Sequence, residues 1–308
     1  MTNFIANNAQ HYQLVATRPI AALELLAQQT GLSKQQLKDA AQKGALWITR
    51  HKKAERLRRV KTELKAEQQL DLYYNPAVLQ QSCPAATLIS DQHDYSLWCK
   101  PRGMLSQGSK WGDFSALYRW VEMHYQPDGN NRQCWLVHRL DRATCGLQLL
   151  AHNKKTAQKL TALFEHNQVK KQYQAWVHGK LQKPHQSIAT PIDNKKAVTH
   201  IQSLQYLDDL NISLLDITIE QGRKHQIRKH LASIHHPIVG DRLHGSADLD
   251  KKLNAQLIDR DQLKDPNFAV DLQLTAYKIS FICPIEKKGV TYQLEQNSMD
   301  FYPFSMTD

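Results

Sequence analysis

Between two apolar runs, residues 134 to 137 and 147 to 151, the chain sets His138, Arg139, Asp141, Arg142 and Thr144 and then closes at Gly146. The runs have the length and composition of buried strands, so the polar side chains belong to a short loop between them. One carboxylate among two arginines and a histidine in such a loop is an ion-binding or catalytic arrangement. A turn built for solubility would favour Asn, Ser, Pro and Gly. The plainer alternative is a surface ion pair, because charge clusters point to catalysis only statistically. A second concentration lies at residues 222 to 231, GRKHQIRKHL. Its charge reads as a helix N-terminus approaching phosphate, where exposed backbone N–H groups and cations both favour anions, or as a solvated basic helix. His225 and His230 stand five residues apart, which does not put them on one helical face, and no third ligand spacing accompanies them, so zinc is rejected.

The elements that must position these groups are irregularly mixed. Strands are expected at residues 95 to 99, 172 to 178, 212 to 219 and 272 to 282. Amphipathic helices are expected around Phe114, Leu117 and Val121, and around Ala157, Leu160 and Phe164, the latter capped by Asn153. Helices are too few for a regular βαβ series, which predicts an α+β fold with a mainly antiparallel, mixed sheet.

Ahead of this region residues 18 to 44 read as a helical pair. Pro19 suits a first turn and Gly31 ends the first helix; Ser33 and Gln36 form a capping box for the second, with Gly44 as its stop. Short strands follow at residues 45 to 49 and 70 to 74. From 34 to 65 there are eleven basic residues against Asp39, Glu55 and Glu63, a balance of +8 within a chain carrying +11 in 308 residues. Such an excess predicts a polyanionic partner, with nucleic acid first, although a charge run is often only a solvated face. Residues 75 to 93, with Pro76, Pro84 and a polar run, read as a linker, giving a first domain at 1–78, a linker over 79–93 and a second domain at 94–308. The start of the chain lacks the basic and apolar pattern of a signal peptide. No run approaches the roughly 18 apolar residues of a membrane span, and the five scattered cysteines have no zinc-like spacing, so a reducing, cytoplasmic setting is expected.

Residues 138 to 146, HRLDRATCG, resemble the HRLDxxTSG signature of the RluA-type RNA pseudouridine synthases, with Cys145 in place of Ser. Residues 100 to 103 resemble the family's KPxG motif, 171 to 179 its KxYxAxVxG strand and 222 to 231 its GRxHQIRxHL motif. Residues 237 to 245 resemble PxxGDxxYG, with His244 for Tyr. Residues 272 to 284 resemble LxLHAxxLxFxHP, with Thr275 and Cys283 for the two histidines. The first domain resembles, more weakly, the S4-like RNA-binding domain of many relatives, though Arg50-His51 stands where an Asn-Gly is usual.

The resemblance implies Asp141, Tyr173 and Arg228 as catalytic residues, with Arg228 holding Asp141 and Tyr173 stacking under the base. It implies Arg139 as the residue that fills the space a flipped base leaves. His138, Lys100, Arg102, Arg223, Lys224, His225 and Gln226 are expected to contact RNA. Asp241 is expected only to pin a turn. The reaction needs no cofactor, since nothing is oxidised and no group is supplied. The expected partner is RNA, ribosomal before transfer, and the expected state a monomer. The rival reading is a non-catalytic RNA-binding or ribosome-assembly protein on the same fold, which has no evident need for Asp141, Tyr173 and Arg228 together. Methyltransferase and deaminase signatures are absent.

Overall fold

Apolar alternation and helix stops in the first third of the chain are realised in the computed structural model, which describes residues 9–129, 132–259, 270–295 and 301. Two compact units emerge. One takes the chain up to Pro84 together with Met104–Arg132; the other takes Ala85–Gly103 and the chain from Gln133 on.

The first unit holds β1 (Gln10–Val15), β2 (Ile20–Ala21), α1 (Ala22–Thr30), α2 (Lys34–Gln42), β3 (Leu46–Arg50), β4 (Lys53–Arg56), β5 (Glu63–Leu64), β6 (Gln69–Tyr74), α3 (Pro76–Leu79) and α4 (Leu117–His124). Strands β1, β6, β3 and β4 form an antiparallel sheet in that order. One face, carrying Leu46, Ile48, Leu70 and Leu72, packs with Leu25 and Leu26 of α1 and Leu37, Ala40 and Ala41 of α2. Gly31 ends α1 in the left-handed conformation at φ 68°, and the Ser33–Gln36 capping box opens α2. Pro19 lies outside α1, because residues 20 and 21 pair with β5 instead of opening the helix. Arg56 and Arg58, two of the run's eleven basic residues, are half-buried and meet the buried Asp113 at 3.2 and 2.6 Å.

The second unit holds β7 (Thr87–Asp91), β8 (Tyr95–Lys100), β9 (Trp135–Leu136), β10 (Cys145–Ala151), α5 (Lys154–Glu165), β11 (Lys170–His178), β12 (His185–Ile188), β13 (Thr199–Leu207), β14 (Ile212–Ile219), α6 (Gln226–Ser233), α7 (Ala247–Asp259), β15 (Leu274–Ile282) and β16 (Gly289–Gln293). Its sheet runs β12-β13-β14-β11-β15-β10-β8-β7, with β16 beside β15 and β9 beside β10. Within this sheet β10 and β15 pair in parallel and the other pairings of its described strands are antiparallel, which makes it mixed but mainly antiparallel. The fold is α+β.

Two boundaries move. Residues 87 to 91, read as linker, are the edge strand β7, paired through Leu88↔Trp98, and Met104–Arg132 groups with the amino-terminal unit instead of the second. Asn153 caps α5 by accepting from the Thr156 N–H at 2.8 Å.

Candidate active site

Three strands and one helix bring the polar loop, the tyrosine and the arginine of the second unit together. Tyr173 on β11 lies opposite Ala276 of β15, and Ala276 lies opposite Gly146 at the start of β10, so the three share one row. At two strand spacings, about 10 Å, the row sets Tyr173 beside the loop that ends in Gly146. Gly146 is needed there: its φ is 113°, and a Cβ would stand 2.3 Å from the Ala276 carbonyl oxygen. Ile227 and Leu231 of α6 enter the same apolar cluster as Tyr173, Ala175 and Ala276, which docks the helix on the sheet and fixes where its neighbour Arg228 emerges.

Asp141, its side chain 24% exposed, has Arg228 and His225 near one of its oxygens. Oδ2 lies 3.6 Å from Arg228 Nη1 and 3.8 Å from His225 Nε2. Arg228 is sunk to 5% and its other nitrogens are taken: Nε and Nη2 donate to the two oxygens of Asp241 at 2.8 and 2.5 Å. Asp241 Oδ1 also accepts the backbone N–H groups of Leu243 and His244 at 2.9 and 3.0 Å. Burial opposes the charge on each member of this pair. The mutual bonds outweigh it, raising Arg228 above its ordinary value and lowering Asp241 below its own. Tyr173 is 9% exposed. Burial, and then the charge of Asp141, push its phenol above the ordinary range, so it keeps its proton at neutral pH.

The structure thus brings Asp141, Tyr173, Arg228 and His225 together and corrects other expectations. Lys100 is fully buried, donating to the carbonyls of Pro101 at 3.1 Å and Arg142 at 3.4 Å, so it cannot hold phosphate. Burial pulls its ammonium down to about 8, against the opposing charge of Asp141. His138 is half-buried and held against the backbone. Its Nε2 accepts the Leu149 N–H at 2.9 Å, and its ring stacks on Phe164 at 4.2 Å. Gln226 is buried and bonded to Val198, Thr199 and the Arg223 N–H. Arg102 and Arg223 are half-buried and donate Nε–H to the carbonyls of Leu272 and Lys196 at 2.7 and 3.0 Å. Arg139 and Lys224 are exposed. Sequence reasoning missed the grip of Asp241 on Arg228. The available signal was an aspartate flanked by Gly240 and Arg242 shortly after an arginine-bearing helix.

A family model described as RNA pseudouridylate synthase matches residues 94–233. A protein of Helicobacter pylori strain J99 named an uncharacterized RNA pseudouridine synthase is 31% identical over 251 residues, 76% of this chain and 79% of its own length. The chain belongs to the RluA-type RNA pseudouridine synthase family.

Among the other relatives, tRNA pseudouridine synthase C of Pectobacterium carotovorum is 32% identical over 197 residues, 56% of this chain and 52% of its own length. The solved structure of human RNA pseudouridylate synthase domain containing 1 shares the fold, with a TM-score of 0.54 at 18% identity over 70% of this chain and 85% of its own. In this synthase two departures from the family pattern meet. Cys145 lies opposite Thr275, and the thiol and hydroxyl are 3.0 Å apart in the buried β10–β15 seam. A third departure, His244, lies 2.9 Å from His225.

Proposed function

We propose that this synthase isomerises a specific uridine of a structured RNA to pseudouridine, with Asp141 as the catalytic carboxylate and ribosomal RNA as the substrate. The observation that carries the reading is the approach of Arg228 and His225 to one oxygen of Asp141, with Tyr173 in the strand row that ends at the same loop.

The reaction breaks the bond from ribose C1′ to uracil N1, turns the base and joins C1′ to C5, with a proton leaving C5 and one gained at N1. The base must first leave its stack, at a cost of a few kcal/mol. Arg139, exposed on the same loop as Asp141, offers a flat guanidinium to the space the base vacates. Arg228 offers Asp141 a nearby positive charge when a bound base excludes water from the site. Tyr173 keeps its proton and so serves as a donor or acid, not as a base. Exposed Lys224, with Arg102 and Arg223 beside it in role, supplies cationic contact to phosphate. In the amino-terminal unit, read as S4-like, the helical pair, the four-stranded sheet and the basic residues not spent on Asp113 support a further RNA contact.

A transfer RNA substrate is the second reading, favoured by the Pectobacterium relative's name. Pseudouridine mapping in ribosomal and transfer RNA from cells with and without the gene tests both. Loss of one ribosomal site supports the proposal. Loss of a transfer RNA site alone favours the second reading, and loss of none leaves the non-catalytic RNA-binding reading.

A further inference from the structure

His225 and His244 form a pair at the edge of Asp141. His225 Nδ1 and His244 Nε2 are 2.9 Å apart, their rings meet edge to face at 5.1 Å, and the other nitrogen of His225, Nε2, is directed at Asp141 Oδ2 from 3.8 Å. Two features hold the pair in place. His225 sits in the left-handed backbone conformation at φ 56°, uncommon for a residue with a side chain, immediately before α6. The His244 backbone N–H is anchored on Asp241 Oδ1 at 3.0 Å, the carboxylate that also fixes Arg228. Asp241 therefore orients two arms, Arg228 and His244–His225, that converge on one oxygen of Asp141.

We infer that His244, acting through His225, is a positioning residue for Asp141: it holds His225 as the Nε2–H tautomer, with that N–H aimed at the carboxylate. This rests on the reading of Asp141 as the catalytic group.

A neutral imidazole carries one proton on one nitrogen, and the bond across the pair decides which. The groups facing the pair are Asp141, Asp241, Arg228, Lys224 and Lys229. Burial, with the nearby cations, keeps both rings below the ordinary imidazole range, so each is neutral at pH 7. If His225 donated from Nδ1, its Nε2 lone pair would face a carboxylate oxygen, which is repulsive. If His244 donates from Nε2, Nδ1 of His225 accepts, and the proton on His225 Nε2 points at Asp141. Electrostatics selects the second arrangement. The 3.8 Å separation leaves room to tighten when substrate excludes water.

The test uses the full chain with ¹⁵N-labelled histidine, comparing wild type with His244→Phe, which has no donor, and His244→Tyr, whose hydroxyl can donate to Nδ1. Nitrogen shifts should assign His225 as Nε2–H in the wild type and His244→Tyr, and as a tautomer mixture in His244→Phe. Tritium release from C5-labelled uridine in RNA should fall about tenfold in kcat for His244→Phe with KM unchanged, the size of one lost hydrogen bond. It should recover in His244→Tyr. His225 as Nδ1–H in the wild type would overturn the inference, and this holds even where a variant fails to fold. Wild-type kcat in a folded His244→Phe would also overturn it. Asp141→Asn separates the two levels: undiminished release there sinks the reading of Asp141 itself, whereas an inactive Asp141→Asn beside an unaffected His244→Phe sinks only the role of His244.

Discussion

Arg228 gives Asp241 two parallel hydrogen bonds, at 2.8 and 2.5 Å, and turns only Nη1 toward Asp141, 3.6 Å away. The fork is fixed by a carboxylate outside the proposed chemistry, so Asp141 meets a donor already oriented, and its own oxygens stay available. Removing one member of a buried pair leaves the other charge uncompensated. Asp241→Asn should cost about 3 kcal/mol of stability in urea denaturation and abolish turnover in the fraction that remains folded. A loss under about 1 kcal/mol would mean that Asp241 only pins its turn.

Lys100 separates burial from RNA contact. Because its ammonium is enclosed, Lys100→Met should leave the salt dependence of RNA binding unchanged, while Lys224→Ala should lower the slope of log Kd against log salt by about 0.7 to 0.9. The sign of the pH effect follows from the depressed folded value of about 8 against an ordinary 10.5. Between them the unfolded chain holds a proton that the folded chain has released, so this residue makes stability climb with pH in that window. Lys100→Met should flatten the climb. An unchanged pH profile of stability would contradict the assignment.

His138 predicts the opposite end of the pH scale. Burial, followed by Lys171, pulls its imidazole down to about 3 from an ordinary 6.5, and Nε2 must stay unprotonated to accept from Leu149. As pH falls below 6.5 the unfolded chain takes up a proton that the folded chain refuses. Stability should then drop by up to about 1.4 kcal/mol per pH unit from this residue. Denaturation series at pH 7 and 5.5 check this, and His138→Gln should show a shallower dependence.

Arg139 tests base extrusion. Arg139→Ala should lower turnover on a folded RNA by about a hundredfold, the scale of a few kcal/mol for leaving the stack, and much less on an unstructured oligonucleotide with the same uridine. Equal losses on both would tie Arg139 to the chemical step or to simple binding.

The sequence made the site's members legible and its interior illegible, for a physical reason. Asp141, Tyr173 and Arg228 stand in ordered motifs, and strand periodicity alone gives Tyr173 a definite face. Whether Lys100, His138 and Gln226 face RNA or backbone depends on pairings between residues far apart, such as Gly146↔Lys100 and the reach of Gln226 to Val198 and Thr199. In a motif a charged side chain looks exposed; here the sheet encloses Lys100. The same limit hid β7, whose pairing with β8 makes a strand of a stretch with linker composition. It also hid β13, whose buried Thr199 and Ile201 alternate with polar residues. Cys145 and Thr275 each looked like a defect, and only the β10–β15 register shows that they face one another.

The most direct measurement is tritium release from C5-labelled uridine in bound RNA by Asp141→Asn, with RNA affinity measured in parallel. Asparagine keeps the shape and removes the charge, so release should vanish while binding stays near the wild-type level. Release at the wild-type rate would contradict the account.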